Sequence, residues 1–94
     1  MSKKKHIYVI YDIEENSTRA DIAEILLYYG LRRVQYSVFE GILSQKEKME
    51  IVKNIKNKDL GDSDKVHILE LCQNCLKARV IIGTMPEEQE HIII

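Results

Sequence analysis

The sequence predicts an α+β domain in which two helices lie on one face of a mainly antiparallel sheet. Three observations carry this reading: an apolar strand pattern at 6–12, two segments of helical period that each follow a capping-box spacing, and a period-two stretch between them at 32–43.

The run His6-Ile7-Tyr8-Val9-Ile10-Tyr11-Asp12 carries Ile, Val and Tyr on both sides, the composition of a central strand covered on two faces. It ends on an acid. A polar connection follows, and Thr18-Arg19-Ala20-Asp21 has capping-box spacing, so helix one is expected from Thr18 to Tyr29. Ile22, Ile25, Leu26 and Tyr29 form its apolar stripe, and Gly30 stands where a left-handed C-terminal cap is wanted. From 32 to 43 the alternation sends Val34, Tyr36 and Val38 one way and Arg33, Gln35, Ser37 and Phe39 the other. The second face is mostly polar, which suits a groove, a ligand or another subunit better than a covering helix. With Gly41 as its clear breaker, the stretch reads as one bent strand or two short ones.

Ser44-Gln45-Lys46-Glu47 is a second capping box, and Ile51, Val52 and Ile55 continue it as a helix to about Asn57. The turn composition of 59–64 separates it from a strand at 66–71. Another strand is expected at 78–83, joined through a connection at 72–77 too brief for a crossover helix, so the last two strands should be antiparallel. Met85-Pro86 ends it. The extension at 84–94 closes on three isoleucines, Ile92 to Ile94, whose exposure is unfavourable enough to expect an edge strand on a partner subunit. The element order describes a ferredoxin-like two-layer sandwich spanning 1–94 as a single domain, with one sheet face left for a second copy to cover.

Ninety-four residues with 45% hydrophobic content support a modest core and no roomy enclosed pocket. The apolar runs fall far short of the roughly 20 residues that span a bilayer, and the basic start lacks a small-residue cleavage site; a cytoplasmic protein is expected. A net charge of −1 excludes a wholesale basic coat, so binding of nucleic acid must use local patches such as Arg32-Arg33.

Asp12, at the C-terminal end of the first strand, can bind a hard cation such as Mg²⁺ or simply end the strand by a turn. Arg19 falls in the first helical turn near free backbone N–H groups that attract phosphate, or is a plain solvated residue there. Arg32 and Arg33 can contact phosphate or form a salt bridge with Glu40 or Asp12. Ser37 can orient a water or phosphate oxygen, but no histidine is placed to make it a nucleophile. Cys72-Gln73-Asn74-Cys75 is half a zinc site, a redox pair or an idle reduced pair.

The string Tyr8-Val9-Ile10-Tyr11-Asp12-Ile13, then Arg19, then Tyr29-Gly30-Leu31-Arg32-Arg33-Val34-Gln35-Tyr36-Ser37-Val38-Phe39-Glu40-Gly41, resembles the CRISPR-associated Cas2 family, the small subunit of the spacer-acquisition complex. The resemblance implies a homodimer whose facing sheets bring two Asp12 residues together as catalytic ligands of a shared Mg²⁺ or Mn²⁺. It further implies that Arg19, Arg32 and Arg33 bind nucleic acid, that Tyr11, Gln35, Ser37 and Phe39 line the cleft, and that the Cas1 integrase is a partner. Family members resemble one another more in fold than in activity: some cut single-stranded RNA, some double-stranded DNA, and some only scaffold. Asp21 stands where some relatives carry a second arginine. A VapD-type toxin ribonuclease, which shares the fold, is the alternative.

Overall fold

β1 (Lys4–Asp12) is the strand on which the sheet is built, and it pairs on both edges. The computed structural model describes residues 4–83 of the 94. Within them the order is β1, α1 (Asn16–Tyr28), β2 (Arg32–Gln35), β3 (Val38–Ser44), α2 (Gln45–Lys56), β4 (Lys65–Leu71) and α3 (Gln73–Ala78). The sheet runs β2-β3-β1-β4, with every neighbouring pair antiparallel. This is the α+β sandwich expected from the pattern.

One face of β1 is dry. Ile7, Val9 and Tyr11 pack with Phe39 and Leu43 of β3 beneath Ile22, Ala23 and Leu26 of α1 and Ile51 and Ile55 of α2. The other face, with His6, Tyr8 and Ile10, is only half-buried, so the strand is central but not covered equally on both sides.

Helix ends are set by local chemistry. In α2, Ser44 Oγ accepts from the Glu47 amide at 3.1 Å, while Glu47 Oε1 accepts from the Ser44 amide at 2.9 Å, the reciprocal capping box expected from the sequence. α1 begins earlier than its spacing predicted. Glu15 is its N-cap without a side-chain cap bond, Thr18 lies inside the first turn donating to Glu15 Oε1, and Asp21 pairs with Lys58 at 3.6 Å. The far end of α1 closes as predicted. Gly30, at φ +89°, lets its own amide reach Leu27 O and the Leu31 amide reach Leu26 O, while Leu26 and Leu31 bury together.

The stretch at 32–43 is a hairpin, and its break falls at Tyr36-Ser37 instead of Gly41. Gly41 continues β3 opposite Ile7, and glycine stands there because a Cβ would meet the Leu31 Cα at 3.0 Å. The two-residue turn uses no left-handed residue, and β2 takes up the mismatch in a register shift between Arg33 and Gln35. That shift overturns the expected alternation. Phe39 is in the core, wholly inaccessible, with the Arg33 guanidinium 4.9 Å from its ring centre, while Gln35 joins Val34 and Val38 at a groove on the opposite side.

The expected strand at 78–83 is also corrected. Cys72 caps a short helix, α3, and residues 79–83 enter no ladder among the described residues. Cys72 Sγ accepts an amide from Cys75, which lets the connection wind up, and residues 79–82 then line a groove with Tyr8, Ile10 and Val38 on the sheet face away from α1 and α2. The edge strand expected at 84–94, including Ile92 to Ile94, lies outside the described residues.

Arg79 has a specific reason to lie there. Glu40, on the same sheet face, is 1% exposed, and its carboxylate accepts from Arg79 Nη1 at 3.1 and 3.2 Å. His6 Nε2 lies at 3.3 Å and Arg32 Nη2 at 3.7 Å, and Arg79 also bonds the Tyr8 hydroxyl. Burial alone would push the Glu40 carboxyl up, but Arg79, then His6 and Arg32, outweigh it and hold it below its ordinary value.

Two predictions follow from these contacts. Ser44→Ala removes the α2 cap and lowers stability by about 1 kcal/mol in urea unfolding. Glu40→Gln leaves Arg79 and Arg32 facing a neutral amide and costs about 2–3 kcal/mol, less than a fully buried pair because both guanidinium groups stay partly wet. The native Glu40 contribution is present above the ordinary glutamate value of about 4.3 and fades as pH falls through the lower folded value. Stability of the Gln variant measured from pH 6 to pH 3 should therefore fall less steeply than that of the parent; equal slopes would refute the assignment.

Candidate nucleic-acid interface

The C-terminal end of β1 opens onto a rim. The Tyr11 amide donates to Ser37 O at 3.1 Å, which sets the β2–β3 turn beside the strand end, and Asp12 stands opposite Lys65 of β4. Asp12 is exposed, and among the described residues its carboxylate makes no hydrogen bond or ion pair. The bland reading, a strand-ending side-chain turn, has no such bond behind it.

The β1–α1 loop is tied down on two sides. Arg19 Nη1 donates to Ile13 O at 2.7 Å and to Glu14 O at 2.9 Å, so this side chain clamps the loop that precedes its own helix. Asp64 accepts from the Glu14 amide at 3.1 Å through one oxygen and from the Gly61 amide at 2.8 Å through the other. Both contacts satisfy backbone groups that a tight loop would otherwise leave to water.

Tyr36 occupies the hairpin turn, 71% exposed. The Arg19 and Arg33 guanidinium carbons each lie 5.8 Å from its ring centre, and Arg33 Nη1 donates to Tyr36 O at 2.8 Å. With Tyr11 and Asn16 they surround an open pocket of about 380 Å³ whose lining contains no acid. Burial pushes the Tyr11 phenol above its ordinary value against the pull of Arg33 and Arg19, so it stays neutral. Two guanidinium groups beside an exposed aromatic ring suit a phosphate next to a stacked base.

The residues expected to line one cleft are therefore distributed. Tyr11 and Arg33 meet at this pocket, Ser37 is in the turn, Gln35 borders the groove on the other face, and Phe39 is sealed in the core. Arg32 turns to Glu40, one of the two salt bridges its sequence context allowed. Tyr36 and Asp64 were passed over. Tyr36 had a signal, a large ring in a two-residue turn where small polar residues are the rule; Asp64 had none beyond loop composition.

The described residues contain no group of three or more His, Cys, Asp or Glu able to hold a metal ion. Asp12 supplies one hard oxygen donor, half of what a Mg²⁺ bound through two carboxylates requires. No helix among the described residues is long and apolar enough to cross a membrane.

Comparison with known proteins agrees with this architecture. Residues 5–79 match the family described as CRISPR associated protein Cas2. A CRISPR-associated endoribonuclease Cas2 from Methanospirillum hungatei is 36% identical over 78 residues, covering 83% of this chain and 82% of that protein. A solved Cas2 crystal structure superposes with a TM-score of 0.75 at 27% identity, over 97% of this chain and 100% of that one. A chain of a partial Cas6-RT-Cas1–Cas2 complex aligns with a TM-score of 0.59 at 26% identity, over 89% and 98% of the two chains. The ladder order, the rim at the end of β1 and these matches lead to one assignment: the chain belongs to the CRISPR-associated Cas2 family.

Proposed function

We propose that this chain acts in the cytoplasm in the spacer-acquisition stage of CRISPR immunity, as a homodimer that binds nucleic acid beside Cas1 and cleaves phosphodiester bonds at paired Asp12 residues. The observation that carries the reading is the exposed Asp12 carboxylate at the rim of β1, unbonded among the described residues. Family membership removes the reason for a toxin reading, which rested on the shared fold.

The sheet face away from α1 and α2 supports the dimer. It carries Ile42 at 60% and Leu69 at 46% exposure, with Val80 and Ile82 exposed in the segment over it, an apolar surface that a second copy would bury. A twofold axis past the end of β1 would bring two Asp12 side chains together and complete a pair of hard donors. Bound there, Mg²⁺ or Mn²⁺ would stabilise charge on a phosphoryl oxygen. Arg33 and Arg19 would hold the flanking phosphate without reading sequence, and Tyr36 would stack a base.

The M. hungatei relative is named an endoribonuclease, which supports RNA as a substrate, and the aligned complex contains Cas1, which supports that partner. A second reading, a binding scaffold without catalysis, is favoured by one observation: Arg19 Nη1 already donates to the loop carbonyls of Ile13 and Glu14, an arrangement that holds the loop and transfers no proton.

Cleavage of labelled single-stranded RNA and double-stranded DNA in Mg²⁺ or Mn²⁺, with binding measured on the same samples, separates the two readings. Asp12→Ala should reduce cutting to background while binding persists; binding with no cutting by the parent under either metal would establish the scaffold. Tyr36→Ala, at an exposed position that leaves the core intact, should weaken single-stranded RNA binding by about 1–3 kcal/mol with unchanged thermal stability. Unchanged affinity would remove Tyr36 from the interface.

A further inference from the structure

Cys72 and Cys75 take no part in the rim, the core or the Glu40 cluster. Both are exposed free thiols. Cys72 caps α3 with its Sγ 3.3 Å from the Cys75 amide nitrogen, which places both cysteines at the N-terminal turn of the same helix. α3 is six residues long and buries none of them, too short to be stable by itself. Its C-cap is Arg79, whose guanidinium holds Glu40 and Tyr8 on the uncovered sheet face.

We propose that Cys72 and Cys75 are a thiol–disulfide pair that exchanges with low-molecular-weight disulfides of the glutathione type, and that its closure fixes the short helix from which Arg79 reaches the sheet. The backbone amide and the neighbouring thiol lower the Cys72 thiol below its ordinary value, while donation to Cys72 raises Cys75. Cys72, whose Sγ accepts the Cys75 amide at the helix start, is the attacking thiolate. It displaces one thiolate from the small disulfide and forms a mixed disulfide. Cys75 then gives up its proton, attacks the Cys72 sulfur and expels the second thiolate; two protein thiols become one disulfide as the oxidant gains two electrons and becomes two thiols.

The inference is independent of the nuclease reading. The full chain would be equilibrated in mixtures of reduced and oxidised glutathione and then acid-quenched for intact mass, with amide hydrogen exchange followed in each form. The expected oxidised species is lighter by two hydrogen masses and carries no glutathione, whereas Cys72→Ser and Cys75→Ser accumulate the glutathione adduct. Protection of the Cys75, Leu76 and Arg79 amides should rise about tenfold on closure, in keeping with the cross-linking of so short a loop. Only adducts or intermolecular cross-links in the parent would overturn the pair. A closed disulfide with unchanged exchange across Leu76 to Arg79 would overturn its link to the sheet face.

Discussion

A carboxylate sealed against a sheet must be neutralised where it stands, and the uncovered side of this protein is arranged around that requirement at Glu40. The residue is 1% exposed on a face that α1 and α2 do not cover, and the side chains that satisfy it come from three separate parts of the chain: the His6 ring from β1 and the guanidinium groups of Arg32 from β2 and Arg79 from beyond α3. Replacing such a cluster by apolar side chains can be neutral or better for stability, so its value lies in placement. Arg79 can satisfy Glu40 only if the chain after β4 turns back over the sheet. The ion cluster thereby sets where the C-terminal part of the described chain lies and how much apolar surface the face still presents.

The opposite need governs the rim. Backbone polar groups in the β1–α1 loop cannot pair with a strand or a helix, and side chains from elsewhere supply their partners: Arg19 for the carbonyls of Ile13 and Glu14, Asp64 for the Glu14 amide. With the loop held from both sides, Asp12 at the strand end is exposed and makes no bond among the described residues.

Much of the fold was legible because its signals are local. The Ser44–Glu47 box and the Gly30 cap involve residues within five positions of one another, and the Ile22, Leu26 and Ile51, Ile55 spacings report a helix face directly. Of the candidate site, the position of Asp12 was legible for the same reason, since a strand end is visible in sequence. Capping boxes are less specific where other local partners compete, as at Thr18, which bonds Glu15 from inside the helix.

By itself the sequence determined the two-layer class, the helix faces and the position of Asp12, since propensity, period and capping act over a few residues. Tertiary structure decided the rest. A one-residue register shift in β2 separated Gln35 from Arg33, because side chains alternate across a strand and a single slip changes the face of everything beyond it, while the pairing of Phe39 with buried Val9 of β1 sent that ring to the core. Pairing of Arg79 with Glu40 joins positions far apart along the chain, and no local pattern encodes which of several acids that arginine will meet. The pocket of Arg19, Arg33 and Tyr36 arises likewise, from the Tyr11 to Ser37 hydrogen bond that draws a hairpin turn to the end of another strand.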